Sequence, residues 1–525
     1  MKINTVHIHN FRSIPDAVIL FQDYSILVGE NNVGKSNIID AIRCFYGDIR
    51  FEETDFCKQA NAGDAAWIEI EYDLTRTEYA SLDAKYQVIP NKLRIRKDVS
   101  RGRGFRAFTA KGFERGTFYG SRKFKPDMLG TLIYVPAVID PKENTKMSGT
   151  SAMNSLLNLV ASRGGLEAEF NKNFQPLYEY IKTCTQPIGY NISRAIAATG
   201  IGVDIGPRNI SFAEMLKFMM ALNIQDQAGT MDLNQIGTGT QRKVIAELIK
   251  YVSNFTLTTT DSGRKLENVV KQIKKLKAEN DQGEKIFSPE LNILLFEEPE
   301  VSLHPNAVSD LAADLRNFAS SPGNQVIATT HSPQLVSEDI MDLNGIIKVD
   351  RAGPNTQIYQ NNIPDSDLSP VQNLVYFDRP RSDIFFSRKV VLVEGPTEYA
   401  LYNYLKRKNL LPKSATQNAT VIECVGKWPM PYFQRVLNNY NIRHSILYDT
   451  DGNPNRPDNI AVRNQFSALT DYSYGFPQDI ETFCGIKKQG NPAINIVRAF
   501  DSGQVAPDKQ AAVIQIYKDL LTKHK

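Results

Sequence analysis

The sequence predicts an α/β protein in two parts, and three observations carry that prediction. A glycine-rich loop, Gly29-Glu30-Asn31-Asn32-Val33-Gly34-Lys35-Ser36, follows a short apolar run and precedes a segment with helical spacing. Apolar runs at 293–296, 326–328, 390–393 and 446–448 lack polar alternation, as strands buried on both faces of a parallel sheet do. Each run then leads within a few residues to chemistry-bearing side chains: Glu297 and Glu298, His331, Glu394, and Asp449 with Asp451.

Composition sets only outer limits. A chain of 525 residues has room for roughly three domains. The 42% hydrophobic and 23% charged residues are ordinary for a soluble globular protein, and a net charge of +3 names no partner. No apolar run reaches the length of a membrane span, and Met1 to Val6 alternates like a strand instead of forming a signal core, so the expected location is cytoplasmic. Five scattered cysteines without a C-x-x-C pair give no zinc site and fit a reducing interior.

In the first part, Tyr24 to Val28 reads as a strand and Asn37-Ile38-Ile39-Asp40-Ala41-Ile42 as the start of a helix. Gly29, Asn31, Asn32, Gly34 and Asn37 frame a phosphate cradle of backbone amides, Lys35 reaches the outer phosphates, and the Ser36 hydroxyl can ligate magnesium. From Lys92 to Lys125 twelve basic residues face only Asp98 and Glu114, a candidate contact for a phosphate backbone or a solvated basic hairpin. Residues 142–235 carry Leu156, Leu157, Leu159 and Val160, then Phe212, Met215, Leu216, Met219 and Met220, at helical spacing, and are expected to form a helical insertion. Ile236-Gly237-Thr238-Gly239-Thr240-Gln241 opens a helix, and Leu266, Val269, Val270, Ile273 and Leu276 share one face of another. Leu291-Asn292-Ile293-Leu294-Leu295-Phe296 is a strand ending in Glu297, suited to the magnesium shell, and Glu298, suited to orient or deprotonate water. Val326-Ile327-Ala328 leads to His331, which by itself reads as a structural strand-end residue.

These elements in this order resemble the ABC-type ATPase heads of the SMC and RecF kind. The resemblance implies that Gly237, Gly239 and Gln241 belong to a signature loop, that Ser302-Leu303-His304 follows the acidic pair, and that His331 is a switch histidine. Ile8-His9-Asn10-Phe11-Arg12-Ser13 is similar to the first strand and turn of such heads. In such heads one subunit's signature loop covers ATP on another, which implies a homodimer or higher oligomer.

In the second part, Glu394 leaves a buried strand, Glu398 lies in the first turn of the next helix, and Asp449 and Asp451 leave a further strand. Ligands collect at the carboxyl ends of parallel strands, so these carboxylates are expected to form a hard-oxygen site for Mg2+ or Mn2+. The E-G-x-x-E and D-x-D pattern resembles the TOPRIM fold of topoisomerases, bacterial primases and OLD-family nucleases. The missing cysteine cluster excludes a primase, and an ABC-type head ahead of a TOPRIM domain resembles the OLD (overcoming lysogenization defect) ATP-dependent endonucleases. That resemblance implies metal ligation by Glu394, Glu398, Asp449, Asp451 and Glu481, the last within Asp479-Ile480-Glu481. It also implies a lysine near the C-terminus, for which Lys488 is the candidate, although Asn491 stands before Pro492 where the lysine is expected.

The expected architecture is an ABC-type P-loop head with an N-terminal lobe (1–141), a helical insertion that is a dimerisation candidate (142–235) and a C-terminal lobe (236–350). A connecting segment (351–387) and a TOPRIM α/β domain with a parallel sheet (388–525) follow. The expected function is ATP-binding, ATP-hydrolysing, metal-dependent cleavage of nucleic acid, DNA favoured, in antiphage defence or DNA processing, with an accessory protein or nucleic-acid partner left open. Cleavage of RNA or tRNA and a RecF-like clamp without nuclease activity are the alternatives.

Overall fold

The computed structural model describes residues 1–59, 63–102, 104–119, 129–137, 166–195, 223–226, 229–232, 291–301, 303–337, 343–361, 381–487 and 490–524. The signature loop with Gly237, Gly239 and Gln241, the Met-rich stripe, the 266–276 helix, Ser302 and Lys488 lie outside them. The chain forms two compact units, one of Met1–Val6, Asp40–Glu52 and Trp67–Ala328, the other of His7–Ile39, Glu53–Ala66 and Thr329–Lys525.

β1 (Lys2–Phe11) and β2 (Ile14–Leu20) flank the turn at Arg12, and β3 (Tyr24–Val28) runs into the glycine-rich loop and the helix Lys35–Tyr46. In the first unit, β4 (Trp67–Asp73), β5 (Lys92–Asp98), β6 (Arg106–Thr109) and β7 (Gly112–Phe113) make an antiparallel meander. Here the basic strand is neutralised by its neighbour. Arg94 and Arg96 both donate to Glu69, Lys92 Nζ lies 2.6 Å from Glu71 Oε1, and Lys97 Nζ donates to the Cys44 and Phe45 carbonyls at 2.8 Å. Lys97 thus closes the last turn of the Lys35–Tyr46 helix. These four cations are committed to the fold, which leaves the candidate phosphate contact to the rest of the 92–125 stretch.

Of residues 142–235 the structure describes a helix, Leu166–Ala195, and a hairpin of β9 (Asn223–Asp226) and β10 (Gly229–Asp232) after β8 (Thr131–Val135). The hairpin departs from a purely helical insertion. Its strands, which place Ile224 opposite Met231 in register, are too short to show as a period in the sequence. β11 (Asn292–Glu297) lies parallel to β8 with β12 (Asn324–Thr329) on its other side. Leu311, Leu315 and Phe318 are buried on the helix Pro305–Ser320, which His304 caps.

In the second unit, β13 (Ile346–Ala352) pairs parallel with β3 and antiparallel with β14 (Asn355–Gln360). A separate sheet contains β15 (Lys389–Val393), β16 (Ala419–Glu423), β17 (Arg443–Asp449) and β18 (Thr470–Phe476), ordered β16-β15-β17-β18 and parallel throughout. β15 is buried along its whole length, as its unbroken apolar run requires. Leu401, Leu405, Ile496, Phe500, Val513 and Leu520, from three helices, pack with Val391, Val393 and Leu447 in one apolar cluster.

A charged triad is set into this sheet. The Asp471 side chain is 0% exposed, with Lys389 Nζ at 3.1 Å and Arg443 Nε at 2.9 Å. Asp471→Ala would leave the buried Lys389 ammonium without its counter-ion, so a loss of about 3–5 kcal/mol in urea unfolding is expected. Among the described residues no helix is long and apolar enough to cross a membrane.

Candidate functional site

The glycine-rich loop is shaped by what surrounds it. A Cβ on Gly29, at φ 144°, would lie 2.1 Å from the Val349 carbonyl oxygen, and one on Gly34, at φ 114°, would lie 2.2 Å from Thr356 Oγ1. Only glycine fits either place. Thr356 Oγ1 donates to the Val33 carbonyl at 2.8 Å and Arg351 donates to the Asn32 carbonyl at 2.8 Å, so the β13-β14 hairpin straps the loop from outside. Asn37 donates to Ser13 at 2.7 Å, and Arg12 pairs with Asp55 at 2.7 Å, which ties the first turn of the chain to the same loop.

Lys35 is buried, and its Nζ donates to the carbonyls of Gly29 (2.9 Å) and Glu30 (2.8 Å) and to His331 Nε2 (2.9 Å). Lysine and histidine, 296 positions apart in sequence, therefore meet at the loop. Glu30 also receives both ends of the Arg388 guanidinium at 2.6 and 2.7 Å, and Arg388 directly precedes β15. In the first unit, Glu297 is buried at the end of β11 and accepts from Tyr134 Oη at 2.8 Å. Burial and the neighbouring Glu297 push the Tyr134 phenol well above its usual range, so it stays a donor. The Arg43 guanidinium sits 3.7 Å from the centre of the Tyr134 ring. Glu298 has φ 43°, a left-handed backbone rare outside glycine, which turns the chain immediately beyond the strand.

The second cluster lies at the carboxyl ends of the parallel strands. Glu394 follows β15, and its Oε2 accepts the Asp449 backbone N–H at 3.0 Å, so the end of one strand orients the carboxylate of the next. Glu398 accepts from Gly395 N at 3.0 Å, the reciprocal bond of a capping box at the start of the helix Pro396–Arg407. Glu481 is buried and accepts from Thr397 Oγ1 at 3.2 Å, while Asp479 caps the short helix that carries Glu481. Asp449 lies among them. Burial, and then the charges of Glu398, Glu394 and Glu481, push its carboxyl up to about 9. Burial raises Glu398 to about 7, and also raises Glu394.

Asp451 faces differently. It adopts φ 51° and accepts from Lys427 Nζ at 2.7 Å and from Arg456 at 2.8 Å. Lys427 is buried, with Asp458 at 3.8 Å and Glu394 at 3.9 Å. This lysine escaped the sequence reading. Its signal was Gly426-Lys427 leaving the apolar run of β16, the same strand-end position as the acidic motifs. At the position where a lysine was expected, Asn491 is the N-cap of the helix Pro492–Asp501 and accepts from Ile494 N at 3.2 Å. Lys487 is exposed.

The donor set suits a hard divalent cation. Glu394, Glu398, Asp449 and Glu481 repel one another in a buried site, and Asp449 Oδ1 is buried without a hydrogen-bond partner, so an oxygen-seeking cation would relieve both conditions. Among the described residues no three side chains of His, Cys, Asp or Glu have the spacing to hold a metal ion as they stand. Asp451 is turned to Lys427 and Arg456 instead.

Comparison with known proteins agrees with both halves. The AAA ATPase domain matches residues 1–96 and 168–336, together half of the chain, and the overcoming lysogenization defect protein-like TOPRIM domain matches 385–451. The Old nuclease of Escherichia phage P2 is 23% identical over 490 residues, covering 86% of this chain and 77% of its own. Endonuclease GajA of Bacillus cereus is 23% identical over 470 residues (86% and 75%), and the OLD nuclease of Thermus scotoductus is 21% identical over 491 (86% and 82%). The chain is a member of the AAA ATPase domain family whose head is followed by an OLD-like TOPRIM domain, the make-up of an OLD-family ATP-dependent nuclease.

Proposed function

We propose that the protein is an ATP-hydrolysing, Mg2+-dependent endonuclease that cuts DNA in the cytoplasm, in antiphage defence or DNA processing, and that its heads pair as a homodimer or higher oligomer. The observation that carries the reading is the convergence of Glu394, Glu398, Asp449 and Glu481 at the carboxyl edge of four parallel strands. A divalent metal held by Glu394, Glu398, Asp449 and Glu481, with Asp451 joining only on release from Lys427 and Arg456, would supply Lewis-acid polarisation of a phosphodiester and a water activated at neutral pH.

The protein's own residues do the positioning. The Asp449 amide fixes the Glu394 carboxylate, Thr397 orients Glu481, and Lys427 offsets negative charge beside Asp451. In this reading Lys427 fills the role expected of a lysine near Asn491. Lys427→Ala is then expected to lower cleavage about 100-fold, the scale seen when a group that supports a metal ligand is lost, with ATP hydrolysis unchanged.

In the head, Lys35 would bind the outer phosphates, Ser36 and Glu297 the nucleotide's magnesium, and Glu298 the attacking water, with His331 at the terminal phosphate. The test is to incubate the purified chain with supercoiled plasmid or total RNA, with magnesium or manganese, with and without ATP, using Glu394→Ala as the control. Metal-dependent nicking of plasmid by the wild type alone supports the reading. Cutting confined to RNA would change the substrate, and no cutting in any arm would overturn it.

A further inference from the structure

The loop between β16 and the helix Met430–Asn439 carries a feature that metal chemistry does not use. Trp428 is 68% exposed and, among the described residues, has no hydrogen bond or ring contact. Single exposed apolar residues are common on surfaces, but this one stands in a loop that is fixed in place. Gly426 N donates to the Glu394 carbonyl at 2.7 Å, Cys424 N donates to the Val393 carbonyl at 2.9 Å, and Lys427 Nζ holds Asp451. Val425 is 63% exposed at φ 58°, a conformation that a β-branched residue adopts only under strain. Such strain persists where the surroundings enforce it, and it gathers at ligand-binding sites. The loop is therefore tied to two of the carboxylate-bearing segments, and it sets a bare indole ring next in sequence to the lysine of that cluster.

Resting on the nuclease reading above, we infer that Trp428 is a stacking platform for an unpaired nucleobase next to the scissile phosphate. A phosphodiester held at the carboxylates brings bases within reach of the neighbouring loop, and an exposed aromatic face takes any base without sequence preference. The site would thus favour single-stranded, frayed or flipped-out nucleic acid over an intact duplex.

The chain has two tryptophans, Trp67 and Trp428, so the full-length Trp67→Phe variant makes Trp428 the sole indole reporter. Titration with single-stranded DNA or RNA oligonucleotides should quench its fluorescence, and the same duplex should quench it less. Trp428→Ala should raise KM for single-stranded substrate about tenfold, with kcat and ATP hydrolysis near wild type, and Trp428→Phe should recover most of the loss. Unchanged KM and no quenching, with Glu394→Ala still abolishing cleavage, would overturn the stacking role and leave the nuclease reading standing. Quenching by oligonucleotides in a protein that cuts nothing would uphold the stacking role and remove the nuclease reading.

Discussion

Glu394→Ala and Asp449→Ala are each expected to lower metal-dependent cleavage by about 1,000-fold or more, while ATP hydrolysis stays within about twofold of wild type. That loss corresponds to about 4 kcal/mol of transition-state stabilisation, the scale at which removing a metal ligand acts. Asp449 carries the sharper prediction. It is half-buried beside Glu398, Glu394 and Glu481, and one of its carboxylate oxygens is buried without a hydrogen-bond partner. Alanine removes a carboxyl whose ionisation burial and the neighbouring carboxylates oppose, so the metal-free variant should be no less stable than wild type although it is inactive. Thermal melts with and without magnesium test this: the wild type should gain stability on adding metal, and Asp449→Ala should gain little. A variant that melts early without metal would mean that Asp449 supports the fold, and cleavage that survives in both variants would remove these residues from the site.

Lys35→Ala should abolish measurable ATP binding and lower ATP hydrolysis at least about 100-fold, with the carboxylate cluster intact. The reason is specific to this loop. Lys35 Nζ has a cation's three donors, directed at two loop carbonyls and at His331, so alanine deletes both the charge meant for phosphate and the bonds that hold the loop in shape. His331→Ala removes only the third partner and should reduce hydrolysis with a smaller effect on nucleotide binding. Equilibrium binding of a fluorescent ATP analogue, measured beside phosphate release, separates the two. Equal loss of binding in both variants would show that the contact between them is structural.

The readable part of the molecule is the part in which one short segment contains its own signal. The P-loop, the buried strands and the acidic strand ends each combine a hydrophobic period with a residue of unmistakable chemistry, so their place in an α/β fold followed directly. The basic stretch from Lys92 was less informative. Alternation shows that β5 is a strand, but it does not show that Glu69 and Glu71 lie across from its cations. Glu398 is similar: its spacing from Glu394 is legible, whereas its bond to the Gly395 amide appears only when the helix start is built. Lys427 was missed because a lone lysine after a strand carries no spacing rule. The hairpin at Asn223–Asp232 was missed because four-residue strands are shorter than the window in which a period can be recognised.

The sequence by itself determined the fold class and the order of the ATPase and TOPRIM parts, because strand burial and phosphate cradling depend on neighbours in the chain. Tertiary structure alone decided which partners those residues face. Lys35 meets His331, Arg388 clamps Glu30 of the P-loop at the very start of the TOPRIM sheet, and Lys427 pairs with Asp451. Each of these pairs joins positions from 24 to 358 residues apart, and Coulomb attraction and hydrogen bonding act through space, so no local pattern can record them.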